Sequence, residues 1–396
     1  MSPDFLPYGR QNIGEEEIEA VVKVLHGDFI TQGPEIEAFE TRLCEETGAA
    51  HAVVVSSGTA ALHLAMLAFG VGRNQHVITT PLTFAATSNA VLYAGGSPLF
   101  ADIDPRSWCL SPESVSEMLD THARRREIVG IVPVHFAGSP AHAREIRDLA
   151  RSKDLFVIDD ACHAIGASWQ DEKAAWRRIG DGSLADATIL SFHPVKHITS
   201  GEGGAVLTSD AEIARRIRAL RHHGIVRDEA HLLNPNPAAW YHEMQELGYN
   251  YRITDIHCAI GRVQLEKLAG FVEARREIAA CYMDALADES RIRCQWIPDD
   301  VRSSWHLFAV EVPERDRIFG ALRAAGIGAQ VHYPLVYQHP YYRQLGFEAG
   351  LCPRAEQHAA ATLSLPMYPG LKAGDIERVI HALTTALDRT GTRKER

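Results

Sequence analysis

Four short stretches of this 396-residue chain carry residue types at spacings that could do chemistry. The first holds Lys196, set between His193 and His197 and just ahead of a Gly201-Glu-Gly-Gly204 turn. An apolar run from Ala187 to Leu190 stops at Ser191-Phe-His-Pro194, and a second run, Ala205 to Thr208, follows the turn. The lysine therefore sits in a tight loop between two strands. Desolvation and neighbouring cations lower a lysine's pKa and free its amine as a nucleophile. The same stretch also reads as a surface hairpin with an incidental lysine. The second stretch is Ser57-Gly58-Thr59, between an apolar strand and a helix. Free N–H groups and hydroxyls at a helix start seat a phosphate, although Ser57 or Thr59 could equally be an ordinary N-cap. The third is the acidic end of Leu155-Phe-Val-Ile-Asp-Asp160, and the fourth is Thr83-Phe84, just beyond another strand.

These four converge on one cofactor. Pyridoxal 5′-phosphate needs a lysine amine to hold it and a carboxylate that keeps its pyridine nitrogen protonated. It also needs a flat group against the ring and an anchor for the phosphate. Lys196, the acidic strand end Asp159-Asp160, Phe84 and the Ser57–Thr59 turn supply one of each.

Alternating elements position them. Helical periodicity covers 14–26 and 35–47, and strands are predicted over 50–55, 77–80, 98–102, 128–134 and 155–160, with helices between them. This pattern gives an α/β fold, a central and mostly parallel sheet with helices on both faces. In such sheets ligands bind beyond the strand C-terminal ends, where Ser57-Gly-Thr59, Thr83-Phe84, His135, Asp159-Asp160 and Ser191 collect. Residues 227–246 read as a loop, and one long helix is expected from Asp255 past Arg275. The last third repeats strand and helix on a smaller scale, with a strand over Ser304–Val312, a helix over Arg315–Ala325, a strand over Gln330–Tyr333 and a helix from Lys372. The expected division is a large cofactor-binding domain over 1–260, its N-terminal helical segment packing near the small domain, and a small C-terminal α+β domain over 261–392. The tail Arg393–Arg396 reads as disordered.

Composition narrows the partners. A net charge of −11 with no acidic block disfavours nucleic acid, while single cations and helix ends can still bind a small phosphorylated ligand. Seven scattered cysteines without a CxxC pair argue for reduced thiols in a cytoplasm and against a thiolate zinc site. The adjacent His222-His223 pair cannot face one metal from a helix, so no metal is expected. The start shows no signal peptide, and the longest apolar stretch, about 60–71, is too short to span a bilayer.

Thr31-Gln-Gly-Pro34, Ser57-Gly-Thr-Ala-Ala61, Thr80-Pro-Leu-Thr-Phe84, Asp160-Ala-Cys-His-Ala164, Ser191-Phe-His-Pro-Val-Lys196, Glu202-Gly-Gly-Ala205, Gly248-Tyr-Asn-Tyr-Arg252 and Val331-His-Tyr333 together resemble the fold-type-I sugar-nucleotide aminotransferases of the DegT/StrS group. Within it, the chain looks most like the 4-aminotransferases of the pseudaminic acid pathway. The resemblance implies that Lys196 binds the cofactor and shuttles protons, that Asp160 pairs with the pyridine nitrogen, and that His163 stands where many members carry glutamine against the phenolic oxygen. It places Phe84 on the ring face, Ser57, Gly58, Thr59 and Ser191 at the phosphate, and Asn250 at a neighbouring subunit's phosphate, in a homodimer. Thr31, His332, Tyr333 and Tyr337 resemble positions near the sugar nucleotide. The implied reaction moves an amino group from L-glutamate, leaving 2-oxoglutarate, to a UDP-linked 4-keto-6-deoxy-N-acetylhexosamine. The product is UDP-4-amino-4,6-dideoxy-N-acetyl-β-L-altrosamine. Alternatives are a dTDP- or GDP-linked or 3-keto substrate, a pyridoxal-dependent sugar dehydratase, which carries histidine in place of the lysine, and a non-catalytic sensor on the same fold.

Overall fold

A computed structural model describes residues 5–234 and 238–391. Seven strands make the main sheet: β1 (His51–Val55), β2 (His76–Thr79), β3 (Ser97–Phe100), β4 (Ile128–Val132), β5 (Phe156–Asp160), β6 (Ala187–Ser191) and β7 (Gly204–Thr208). Their order is β1-β7-β6-β5-β4-β2-β3. All run parallel except β7, which is antiparallel to both β1 and β6. The strands are near-continuous apolar runs because both faces are covered, and Val53, Val54, Ile131, Ile158, Ile189 and Val206 are fully buried.

The direction of the strands decides where polar residues gather. The C-terminal ends of β1, β2, β4, β5 and β6 share one edge, and β7 begins there, with Gly204 opposite both Val55 and Ser191. The lysine-bearing stretch is thus a hairpin loop, residues 192–203, between adjacent antiparallel strands. A hairpin and a functional lysine prove to be compatible readings.

The helices are α1 (Glu15–Leu25), α2 (Pro34–Thr47), α3 (Gly58–Ala68), α4 (Ala86–Tyr93), α5 (Pro112–Thr121), α6 (Ala143–Ser152), α7 (Ala211–Leu220), α8 (Asp255–Glu266), α9 (Leu268–Ala285), α10 (Arg315–Ala324), α11 (Pro340–Gln344), α12 (Pro353–Ala361) and α13 (Ala373–Gly391). The single helix expected from Asp255 past Arg275 is two, α8 and α9, meeting at Lys267. There the Lys267 ammonium is tied to Glu16 and to the buried Glu17 of α1, and Gln264 donates to Asn12 O and Glu17. α1 is therefore clamped onto α8.

A second, antiparallel sheet holds β8 (Arg293–Cys294), β9 (Phe308–Glu311) and β10 (Thr362–Leu365) in that order. Its own core joins Ile278, Tyr282, Phe308, Val310, Ile318, Leu363 and Leu383, with Leu6 from the N-terminal segment. That segment is stitched to it by Leu6 N–H to Gly326 O, Gly328 N–H to Leu6 O at 2.7 Å and Met367 N–H to Tyr8 O.

Two expected strands shorten. Only Phe308–Glu311 of Ser304–Val312 is strand, because Ser304 and Leu307 give their N–H groups to Gly138 O and Ala137 O and Trp305 takes a φ of 50°. Gln330–Tyr333 forms a single bridge, Gln330 with Ser364. Part of the expected loop around Asn234-Pro-Asn-Pro237 and the tail Arg393–Arg396 lie outside the described residues. Among the described residues no helix is long and apolar enough to cross a membrane, and no group of three or more His, Cys, Asp or Glu could hold a metal ion.

Candidate active site

β1 ends in a turn built for an anion. Ser57 caps α3, its hydroxyl accepting from Ala60 N–H at 3.1 Å. This leaves the first N–H groups of the helix pointing outward with a favourable dipole. Gly58 has no side chain for a spatial reason. A Cβ there would stand 3.0 Å from Ser191 Cβ, 3.3 Å from Ser191 Oγ and 3.4 Å from Cys162 Sγ. Gly204 is equally constrained, since its Cβ would meet Gly58 N and the Ser57 carbonyl group at 2.6 Å. Gly58 at the start of α3 and Gly204 at the start of β7 thus let the Ser57-Gly58 turn pack closely against the end of β6 at Ser191.

β5 ends in Asp159 and Asp160, which the fold separates by role. Asp159 faces the buried His135, with Oδ2 3.2 Å from Nε2. Asp160 turns toward the site, where Oδ2 accepts from the Thr87 hydroxyl at 2.7 Å and Oδ1 from Cys162 N–H at 3.2 Å. Phe84, in the loop before α4, is 63% exposed. It is not core, and its ring lies 6.4 Å from that of Tyr333.

Lys196 sits in the β6–β7 loop, in a turn closed by its own N–H to His193 O. Among the described residues its ammonium has no hydrogen-bond or ion-pair partner. Desolvation lowers its pKa from the ordinary lysine value, against the pull of Cys162 and Asp160, which raise it. The bare amine required of a nucleophile is thereby favoured.

A layer of histidines lies around it. His163 Nε2 is 3.0 Å from the Tyr333 hydroxyl, and its ring packs on His306 at 4.3 Å. His197 Nε2 donates to Ser304 O at 2.9 Å. Ser304 Oγ in turn donates to His163 O. Burial first, and then neighbouring positive charge that includes Lys196, holds His163, His197 and His306 well below the ordinary histidine pKa. His332, whose Nδ1 is 2.8 Å from Ser364 Oγ, is pushed down to about 3 by burial and by Lys196. Burial also raises the Cys162 thiol and the Tyr333 phenol.

The structure therefore brings together Ser57, Gly58, Thr59, Phe84, Asp160, His163, Ser191, Lys196, His332 and Tyr333. Three expected residues lie elsewhere. Tyr337 is fully buried in an apolar cluster with Phe100, its hydroxyl donating to Glu356 at 2.7 Å, so it offers a substrate no surface in this conformation. Asn250 is exposed and bridges His222, in the segment whose Tyr251 carbonyl accepts from Ser56 N–H. Thr31 is exposed and bridges Thr254. A groove of about 740 Å³ is lined by residues that include Gln32, next to Thr31 in the chain, and His222, the bridge partner of Asn250, with His51, Arg218, Arg221 and Arg252. Thr87, Ser304 and His306 were not anticipated. The Thr83–Thr87 spacing of four was the one signal in the sequence, and the other two are fixed only by long-range packing.

The arrangement suits a pyridoxal phosphate. The side-chain-free seat at Gly58, an exposed aromatic beside it, an unpartnered lysine amine and a fixed carboxylate match its phosphate, ring face, carbonyl and pyridine nitrogen.

Comparison with known proteins agrees. The model of the DegT/DnrJ/EryC1/StrS aminotransferase family matches residues 11–384. The spore coat polysaccharide biosynthesis protein SpsC of Bacillus subtilis is 35% identical over 387 residues, 96% of each chain. Among solved structures, Helicobacter pylori PseC, an aminotransferase involved in the biosynthesis of pseudaminic acid, superposes with a TM-score of 0.87 at 29% identity, over 97% of this chain and 100% of that one. The sugar aminotransferase Spr1654 of Streptococcus pneumoniae, in its PLP form, gives 0.86 at 25% identity, over 97% and 99%. A lysine loop, a capped helix start and a strand-end carboxylate on one sheet edge, within a family match spanning nearly the whole chain, place this protein in the DegT/DnrJ/EryC1/StrS family of pyridoxal 5′-phosphate-dependent sugar aminotransferases.

Proposed function

We propose that the enzyme transfers an amino group from L-glutamate to C4 of a UDP-linked 4-keto-6-deoxy-N-acetylhexosamine, giving UDP-4-amino-4,6-dideoxy-N-acetyl-β-L-altrosamine and 2-oxoglutarate. The observation that carries the sugar assignment is the likeness to PseC over 97% of the chain. Pyridoxal 5′-phosphate, when bound, supplies the carbonyl that takes the amino group and a ring that accepts electron density.

The chain supplies the rest. Ser57, Gly58, Thr59 and Ser191 bind the phosphate at the start of α3. Asp160 would pair with the ring nitrogen, Phe84 would pack on the ring, and His163 would meet the phenolic oxygen. Lys196 Nζ takes the proton from the donor's Cα and returns it nearby, and a desolvated amine suits both directions. His332 and Tyr333 line the sugar side, and Tyr337 supports their loop from beneath. Asn250 and Thr31 act across a homodimer interface, a reading that their exposure supports. The chain divides near residue 260 into large and small domains, a reading supported by the separate apolar core around β9. It works in the cytoplasm, consistent with seven free cysteines.

The 35% identity to SpsC favours a second reading, a different nucleotide keto-sugar destined for a polysaccharide. The test is incubation of the cofactor-loaded protein with L-glutamate and a panel of UDP-, dTDP- and GDP-linked 4-keto and 3-keto sugars, with products identified by stereochemistry. Turnover of the UDP-N-acetyl-4-keto sugar alone supports the first reading, and turnover of another panel member in its place supports the second. Lys196→Ala should abolish turnover; residual glutamate-dependent product would remove the proposed role of Lys196.

A further inference from the structure

We propose that Thr87 is a positioning residue for the reaction, its hydroxyl fixing the rotation of the Asp160 carboxylate so that one oxygen is presented to the cofactor's ring nitrogen. Thr87 is 1% exposed, near the start of α4. Its Oγ1 lies 2.7 Å from Asp160 Oδ2, 2.7 Å from Thr83 Oγ1 and 3.2 Å from Phe84 O.

One hydroxyl has one hydrogen, and three neighbours compete for it. A carboxylate accepts and does not donate, and it takes the shortest and strongest bond. The Thr87 proton therefore goes to Asp160, and the Phe84 carbonyl at 3.2 Å receives at most a minor share. Thr87 Oγ1 is then left as an acceptor for the Thr83 hydroxyl. The hydrogen bonds run in one direction, Thr83 to Thr87 to Asp160. Oδ1 is held separately by Cys162 N–H at 3.2 Å. With a donor on each oxygen, rotation about the Cβ–Cγ bond moves both oxygens and so weakens both hydrogen bonds.

The chain of hydroxyls also spans Phe84, which lies between Thr83 and Thr87. The same five residues thus set the aromatic that lies beside the ring and the carboxylate that meets its nitrogen. An error in one displaces both. The inference rests on the pyridoxal-dependent reading of the site and not on which sugar is bound.

The experiment compares the cofactor-loaded wild type with Thr87→Val, which keeps the side-chain shape and loses the hydroxyl, and Thr87→Ser, which keeps the hydroxyl. Three quantities are read: cofactor affinity by titration of the apoprotein, the position and intensity of the visible absorption band of the bound cofactor, and the rate of the half-reaction with L-glutamate. Thr87→Val should slow the half-reaction 10- to 100-fold and shift the absorption band, with Thr87→Ser within about threefold of wild type on both. Wild-type values in Thr87→Val would overturn the proposal. So would equal losses in the two variants, because the hydroxyl kept in Thr87→Ser would then rescue nothing. If Thr87→Val does not fold, Thr83→Val removes the next donor and should shift the band in a smaller step; no shift there overturns the proposal. A wild-type protein that reacts with L-glutamate but aminates no keto-sugar would defeat the substrate reading and leave this one standing.

Discussion

Replacing Gly58 with alanine should separate the stability of the fold from its capacity to hold a phosphate. Gly58 opens α3 outside the left-handed region, so alanine is conformationally allowed there. In a helix alanine is preferred over glycine by up to about 1 kcal/mol. Against this, the new Cβ would stand 3.0 Å from Ser191 Cβ, inside the ordinary carbon contact of about 3.5–4.0 Å. Ser191 ends β6, which is paired on both sides, and it has little room to retreat. Overpacking of this kind costs about 1–3 kcal/mol, so the apoprotein should lose roughly 0–2 kcal/mol net. The cofactor should lose more. A displaced Ser191 hydroxyl forfeits a hydrogen bond to a charged phosphate, worth about 1.5–3 kcal/mol, or roughly 10- to 150-fold in affinity. Urea denaturation of the apoprotein and cofactor titration by absorbance measure the two effects separately. Unchanged affinity would refute the phosphate seat. So would a loss of affinity seen only where the apoprotein has also unfolded, because Gly58 would then be a packing residue alone.

Phe84→Ala should leave apoprotein stability within about 0.5 kcal/mol, since the ring is exposed, yet weaken cofactor binding; a core-sized loss in denaturation would contradict it. Ser57→Ala should cost about 1 kcal/mol of stability through the lost cap, read from the denaturation midpoint. Tyr337→Phe removes the donor to Glu356 and should destabilise by about 1 kcal/mol while the KM for the sugar nucleotide stays put; a raised KM would return Tyr337 to the substrate. Stability should also depend on pH. His163, His197 and His306 are held below the ordinary histidine value in the folded state, so the unfolded chain binds protons first as pH falls. Their contribution is intact above about pH 6.5 and is lost on acidification below it, at most by about 4 kcal/mol per pH unit for the three. Denaturation midpoints at pH 7.5 and 5.5 check this, and equal midpoints would show that the histidines protonate in place.

Local signals made most of the sheet and half of the site readable. The strands of the main sheet are apolar runs ended by polar residues, so Ser57, the pair Asp159-Asp160 and Ser191 could be placed on one sheet edge from position, while the choice of Asp160 over Asp159 came from the family resemblance. The loop alone left Lys196 open between an incidental hairpin lysine and a nucleophile, and only the other strand-end residues tipped the choice. What could not be read depends on contacts between distant segments. Nothing near Ser304 or His306 says that they bind His197 and stack on His163, more than a hundred positions away. The break at Lys267 depends on Glu16 and Glu17, some 250 residues earlier. Tyr337 looked like its neighbours His332 and Tyr333, but it falls inward where the loop turns against Phe100. Periodicity does not report which way such a loop turns.

Dryness explains why these groups work as a set. The desolvation that favours the free amine of Lys196 acts in the same sense on six of its neighbours. His163, His197, His306 and His332 are held uncharged, and the Cys162 thiol and the Tyr333 phenol keep their protons. No cation beside the lysine then competes for the proton it must carry. Asp160 accepts from the Thr87 hydroxyl and from Cys162 N–H, which stand in place of water around a buried carboxylate. A ligand in the proposed site would meet an acceptor at Asp160 and the positive start of α3 at the Ser57-Gly58 turn. That polarity fits a molecule with a protonated ring nitrogen opposite a phosphate, and it disfavours the reverse orientation, which would set phosphate against Asp160.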